Sequence, residues 1–336
     1  MASRLPEFQF RALPQQGPWP TADPFLFCVH HLDRYPEGNE QLGPRASLQG
    51  RDLGMDFSNK DGWSMYHGEV VPGFPRHPHR GFETITVVRQ GLVDHADSLG
   101  AAARYGAGDV QWMTAGDGIN HAEMFPLLRN DEANPTELFQ IWLNLPASKK
   151  RVAPHFTMFW ASSVPELSEG GAHLRLIAGE HRGAQPPSPP PDSYASMSGS
   201  EVAIWSLVLE QGTEFTLPSV SSGVTRCLYH VGGAPSRLCE QTLPVRHFVE
   251  ISAGRSLQLS AAEGRCDLLL LQGKPIGEPV AWHGPFVMNT HAELVQAFAD
   301  YQRTGFGGWP WPGAAPHHGP DSARFARHAD GREESP

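Results

Sequence analysis

The chain of 336 residues carries 26 basic and 36 acidic side chains, a formal charge of −10 at pH 7. That balance argues against a groove that follows nucleic-acid phosphates, which needs a basic surplus. A hydrophobic share of 40% excludes disorder of the whole chain. Only 18% of residues are charged, and 35 glycines and 31 prolines favour many short strands over long charged helices. The four cysteines, at 28, 227, 239 and 266, form no CxxC pair and are too sparse for a disulfide scaffold. They fit a reduced, cytoplasmic compartment, with a nuclear location left open for a eukaryotic chain. No apolar stretch approaches the ~20 residues of a membrane helix, and the N-terminus lacks the apolar core of a signal peptide.

In chain order, residues 1–22 hold several prolines and little periodicity and are expected to form an arm. Phe25-Leu26-Phe27-Cys28-Val29 predicts the first buried strand, and the polar, Gly-rich stretch 46–72 predicts a long loop. Strand signals then come densely. Glu83-Thr-Ile-Thr-Val-Val-Arg89 is β-branched and ends at Gln90-Gly91, a turn signal. Leu92 to Asp97, Val110 to Met113 and Glu137 to Leu145 follow, with turns between them. The Pro-rich segment 182–192 cannot be a central strand and is expected as a surface loop. Strand signals resume at Val202–Glu210, Val224–Val231, His247–Ile251 and Asp267–Leu271, so the two halves look like a duplication. Thr290 and Glu293 have the spacing of a capping box, with Leu294, Ala297, Phe298 and Tyr301 on one face and Gly305 to end the helix. The expected units are 23–160, 161–307 with a helix over 291–303, and a disordered tail over 308–336.

Seventeen histidines make their placement informative. In His77-Pro78-His79 an extended backbone projects both imidazoles to one face. His121-Ala122-Glu123 repeats that geometry with an imidazole and a carboxylate. Either pair alone is weak, since one chance His-x-His among so many histidines is unremarkable. On facing strands of one barrel, the two pairs would bring three nitrogens and one oxygen to a point, a set suited to a divalent first-row metal with positions left open. The adjacent pairs His30-His31 and His317-His318 face opposite ways in a strand and are expected to be structural or solvated. Glu83 is either a carboxylate that orients a histidine or a surface group. Trp112 and Met113 are expected to divide between core and pocket lining, and Gln140 to be a satisfied core amide. The four cysteines are expected as buried hydrophobes. Lys149-Lys150-Arg151 is too short for a basic localisation run and is expected as a solvated turn.

The segments His77-Pro-His-Arg-Gly-Phe-Glu-Thr84, Gly108-Asp-Val-Gln-Trp-Met-Thr-Ala-Gly116 and Gly118-Ile-Asn-His-Ala-Glu-Met124 resemble the signature of the pirin family, within the cupin superfamily. Leu138 to Leu145, Gly273 to Ala281 and Gly284 to Thr290 are similar too, so the resemblance runs from about residue 23 to 307. It implies an all-β bicupin of two jelly-roll barrels packed face to face, with one metal in the leading barrel held by His77, His79, His121 and Glu123. The metal implied is iron(II), with nickel, manganese, cobalt or copper as alternatives. The second barrel is expected to be metal-free: with Gly91 matched to Gly232, the positions of His77 and His79 fall on Pro218 and Val220. The loops at 46–72 and 182–192 and the tail look longer than the family pattern.

The resemblance implies a quercetin 2,3-dioxygenase-like oxidoreductase, cleaving a flavonol with dioxygen and releasing carbon monoxide, with Glu123 as the proton acceptor. The alternatives are an iron-binding, redox-responsive transcription co-regulator acting through a protein partner, and a metal-binding cupin acting on another small molecule. Neither direct nucleic-acid binding nor membrane insertion is expected.

Overall fold

The β-branched and aromatic runs form antiparallel strands throughout the computed structural model, which describes residues 8–336. The first seven residues of the expected arm lie outside the described residues. The chain divides into two compact units, and each takes in a distant end of the sequence. One contains residues up to Cys28 together with Ser162–Gly277; the other contains Val29–Ala161 and Glu278–Pro336. One boundary therefore falls inside a strand, Phe25–Tyr35, another lies between Ala161 and Ser162, one residue from the expected 160, and the last lies after Gly277 and not at the expected 307. Residues 278–307, helix included, belong to the same unit as Val29–Ala161.

In the unit of Val29–Ala161 and Glu278–Pro336, a five-stranded sheet runs His155–Phe159, Val110–Thr114, Phe82–Gln90, Asn134–Asn144 and Phe25–Tyr35. A six-stranded sheet runs Glu333–Glu334, Phe325–Arg327, Ala102–Gly106, Leu92–Asp97, Ile119–Met124 and Gly73–His79. Val88, Val93, Tyr105, Met113, Leu138 and Phe156 share a core, joined by Trp63 and Met65 of the long loop 46–72. That loop therefore contributes buried side chains rather than a solvated excursion.

Residues 308–336, expected to be disordered, are tied down. Phe325–Arg327 pairs antiparallel with Ala102–Gly106, Ala326 is buried in the core, and Arg324 donates to both oxygens of the buried Asp109 at 2.8 and 2.9 Å. Arg104, buried and paired with Asp94, also donates to the Asp321 carbonyl. A polar composition concealed this: three residues completing a sheet edge need no hydrophobic run of their own.

The helix spans His291–Thr304 with the expected reciprocal cap: Glu293 N donates to Thr290 Oγ1 at 3.2 Å, and Thr290 N to Glu293 Oε2 at 2.7 Å. Leu294 and Ala297 pack with Phe286, Met288 and Phe306.

The other unit closes a seven-stranded sheet, from Arg11–Ala12 to Glu166–Glu169, against a four-stranded one. Its core is apolar, with Leu174, Trp205, Leu207, Leu228, Leu257 and Leu270 among its members. The described part of the arm docks here, with Phe8 in the core and Arg11 and Ala12 opposite Phe248 and His247.

Lys150 is not part of a solvated turn. It is 1% exposed, and its ammonium donates to the carbonyls of Gly81 and Val287 and to Asn144 Oδ1 at 2.8–3.1 Å. Burial pulls its pKa down to about 8, only partly offset by Glu278 and Glu293. Replacing Lys150 by Met should cost about 3 kcal/mol of stability at pH 7, because two carbonyls and an amide oxygen lose a charged donor. The unfolded chain binds this proton more tightly, so wild-type stability relative to K150M should rise between pH 8 and about 10; urea titrations across that range measure both effects. Ending the chain after Pro320 should lower stability by about 2 kcal/mol, roughly 5 °C in Tm, by stripping the edge strand and the Arg324 pair. An unchanged melting curve would show that the edge contributes nothing.

Candidate metal centre

Strand Gly73–His79 pairs antiparallel with Ile119–Met124, and the register sets the site: His77 lies opposite His121, and Phe74 opposite Glu123. Two residues lie between Phe74 and His77 on one strand but only one between their partners Glu123 and His121 on the other, so a bulge re-aims the first strand as it reaches the histidines. Gly73 makes the approach feasible. Its φ is +127°, and a Cβ there would run into the Glu123 carbonyl. Beyond the site, Arg80 anchors the strand end by donating to the Asp117 carbonyl at 2.7 Å and to Asp300 of the helix at 2.8 Å.

The ligand atoms of His77, His79 and His121 all lie within 4.8 Å of one another. No other such group of metal-binding side chains occurs among the described residues. Glu123 stands beside this trio rather than within it. Its Oε2 is 3.9 Å from His121 Nε2, too far for a hydrogen bond. Two second-rank side chains hold the carboxylate: Thr86 donates to Oε1 at 3.0 Å and Gln140 to Oε2 at 2.8 Å.

Burial lowers the pKa of all three histidines, with His79 and His121 well below the ordinary imidazole value; mutual repulsion adds to the effect at His79 and His121. They are therefore neutral at pH 7 and offer lone pairs. His77 Nδ1 sits 2.8 Å from the Pro75 carbonyl, which fixes the tautomer that leaves Nε2 free to ligate. Neither ring nitrogen of the fully buried His121, nor Nδ1 of His79, has a hydrogen-bond partner. Buried polar atoms are rarely left so, because each orphan costs about 1–3 kcal/mol. Clustered neutral imidazoles lacking partners, beside an anchored carboxylate, are the donor set of a divalent transition metal, and the residues fit such an ion. Phe82 and Trp142 flank His79 at ring distances of 4.9 and 5.2 Å, giving the site apolar walls.

The remaining expected residues fall out as follows. Glu83 does not lie at the surface: it is buried and accepts the Trp112 indole N–H at 2.7 Å and the Thr114 hydroxyl. Met113 joins the core, while Trp112 is buried on the opposite face of the strand. Gln140 is more than a satisfied core amide, since it holds Glu123. His31 sits among Tyr66, Phe74 and Phe125, and His318 bonds the His95 carbonyl at 2.9 Å, both structural. Cys28, Cys227 and Cys266 are buried thiols and Cys239 is half-buried.

One residue escaped notice in the sequence. His95 is fully buried, pairs across the strands with Glu123, and lies 5.6 Å ring to ring from His121, with Nε2 3.2 Å from Asp97. The available signal was His95-Ala96-Asp97, which has the same period-two form as His121-Ala122-Glu123.

Two antiparallel β units in one chain, with three imidazoles, two of them buried, brought together in the leading one, define a bicupin with a metal-competent first barrel. Residues 11–143 match the Pirin family and residues 204–307 the Pirin C-terminal cupin domain. The chain is 35% identical over 266 residues to a pirin-like protein of Caulobacter vibrioides, covering 78% of this chain and 90% of that one. It is 34% identical to pirin of Mus musculus, covering 81% and 92%. Among solved structures it is similar to a quercetin 2,3-dioxygenase from Acinetobacter baumannii, with a TM-score of 0.69, 30% identity and coverage of 85% and 87%. The chain belongs to the pirin family.

His79→Ala should cut the metal content of the purified protein to below about a tenth of wild type, since it removes one of very few ligands. Elemental analysis of both proteins decides it; equal metal content would place the ion elsewhere.

Proposed function

We propose that this chain is a metal-dependent dioxygenase that opens the heterocycle of a flavonol such as quercetin. His77, His79 and His121 would hold the ion, iron(II) being the metal proposed, and Glu123 would complete the set or take the substrate's proton. The observation that carries the reading is the clustering of three neutral imidazoles, with ring nitrogens of His79 and His121 left unbonded, beside a carboxylate held just outside their cluster. The likeness to the Acinetobacter quercetin 2,3-dioxygenase supports the substrate class.

A divalent ion in this position supplies Lewis acidity toward the vicinal hydroxyl and keto oxygens of a flavonol. The chain's own residues do the rest. Glu123, gripped through both oxygens by Thr86 and Gln140, is positioned to accept the substrate's hydroxyl proton. Loss of that proton makes the heterocycle electron-rich enough to react with dioxygen. Both oxygen atoms enter the ring-opened ester, two carbon–carbon bonds break, and the carbon between them leaves as carbon monoxide. The aromatic walls at Phe82 and Trp142 keep water from the electron-rich carbon.

Iron(II)-loaded protein given oxygen and quercetin should consume the flavonol with one carbon monoxide released per turnover. A loaded protein that leaves a panel of flavonols unchanged would contradict the proposal and favour a binding role. Glu123→Gln should keep most of the metal yet lose turnover by about 100-fold or more; full turnover in E123Q would remove Glu123 from proton transfer.

A further inference from the structure

The second unit holds a charge that nothing among its described residues answers. Arg226 lies in strand Thr225–Gly233, two residues from Leu228 and so on the same face of the strand, and Leu228 belongs to the unit's apolar core. Its side chain is 1% exposed, and none of its three guanidinium nitrogens has a hydrogen-bond partner among the described residues. Burial pulls its pKa down to about 10, and no carboxylate works against that. The group stays cationic at neutral pH, because guanidinium does not escape burial by losing its proton. An unpaired buried charge is among the most costly features a fold can carry, and bound water would solvate it without neutralising it.

Its neighbour across the sheet is complementary. Gln272 stands directly opposite Arg226. Gln272 Nε2 donates to the Glu201 carbonyl at 3.2 Å, which fixes the amide orientation and leaves Oε1 buried, without a donor. On the other side of Arg226, Ile251 N bonds the Arg226 carbonyl, and Ile251 and Leu228 are both core residues. The surroundings are thus a planar cation with free donors, one free acceptor opposite, and hydrocarbon beneath.

We propose that the second unit binds a small 2-hydroxycarboxylate, its carboxylate on the Arg226 fork and its hydroxyl donating to Gln272 Oε1. The planar guanidinium suits the two oxygens of a carboxylate. The lone acceptor selects for a ligand that also carries a donor, and the apolar floor accepts a short alkyl group. This site is independent of the metal centre and uses none of its residues.

Calorimetric titration of the full chain with sodium L-lactate, sodium propanoate and sodium chloride at matched ionic strength tests the assignment. Lactate should bind with one site per chain and more tightly than propanoate, and chloride should give no saturable heat. Arg226→Met should weaken lactate by about tenfold or more, while raising the melting temperature of the ligand-free protein. Gln272→Leu should erase the advantage of lactate over propanoate. If R226M fails to fold, R226K keeps the charge but loses the fork, and should weaken lactate by a similar factor. His79→Ala should bind lactate as wild type does. Absence of saturable carboxylate binding, unchanged binding in the Arg226 variants, equal affinity for lactate and propanoate, or loss of binding in H79A would each overturn the proposal.

Discussion

The pairing of strand Gly73–His79 with Ile119–Met124 is the constraint on which the rest of the site depends. It opposes His77 to His121 and brings Glu123 alongside, drawing on two segments some forty residues apart. Leaving imidazole nitrogens buried and unanswered is expensive, so the surroundings must over-determine the arrangement. They do so from several directions. Gly73 admits the close strand approach, Arg80 clamps the far end of the histidine strand to the helix, and Lys150 ties the Gly81 carbonyl to that of Val287. None of these groups touches the histidine cluster's free nitrogens, yet each limits how far the cluster can relax.

The two units share a construction and differ in what fills them. Around the histidines, the leading unit buries Asp94, His95, Asp97, Asn120 and Arg104, a polar interior whose members mostly answer one another. The second unit is packed with leucine, phenylalanine and tryptophan and carries no metal-binding cluster among the described residues. Its hydrocarbon filling is what makes Arg226 conspicuous. In the polar unit a buried arginine such as Arg104 finds Asp94; in the apolar one Arg226 finds no partner among the described residues.

Much of this was legible in the sequence because it rests on local periodicity. Alternation by two residues placed His77 with His79 and His121 with Glu123 on common faces, and a three-residue spacing announced the Thr290–Glu293 cap. The same periodicity is present at His95-Ala96-Asp97, inside the expected strand Leu92 to Asp97. What could not be read depends on contacts distant along the chain. Lys150 sits in a charged triplet that looks solvated, and only the folded positions of Gly81 and Val287 make it a buried hub. Glu83 shares strand parity with nothing that reveals its partner, the Trp112 indole. The last thirty residues are polar and irregular, but a sheet edge at Ala102–Gly106 gives three of them a place. The exchange of chain ends between the two units is likewise a property of topology, invisible to any window of sequence.

X-ray absorption at the metal edge of the protein as purified speaks most directly to the convergence of three imidazoles on one ion. The outer-shell scattering that marks imidazole ligands should fit three histidines and one or more oxygen donors, and should fit two in H121A. A spectrum with no imidazole scattering, or one unchanged by removal of His121, would contradict the account.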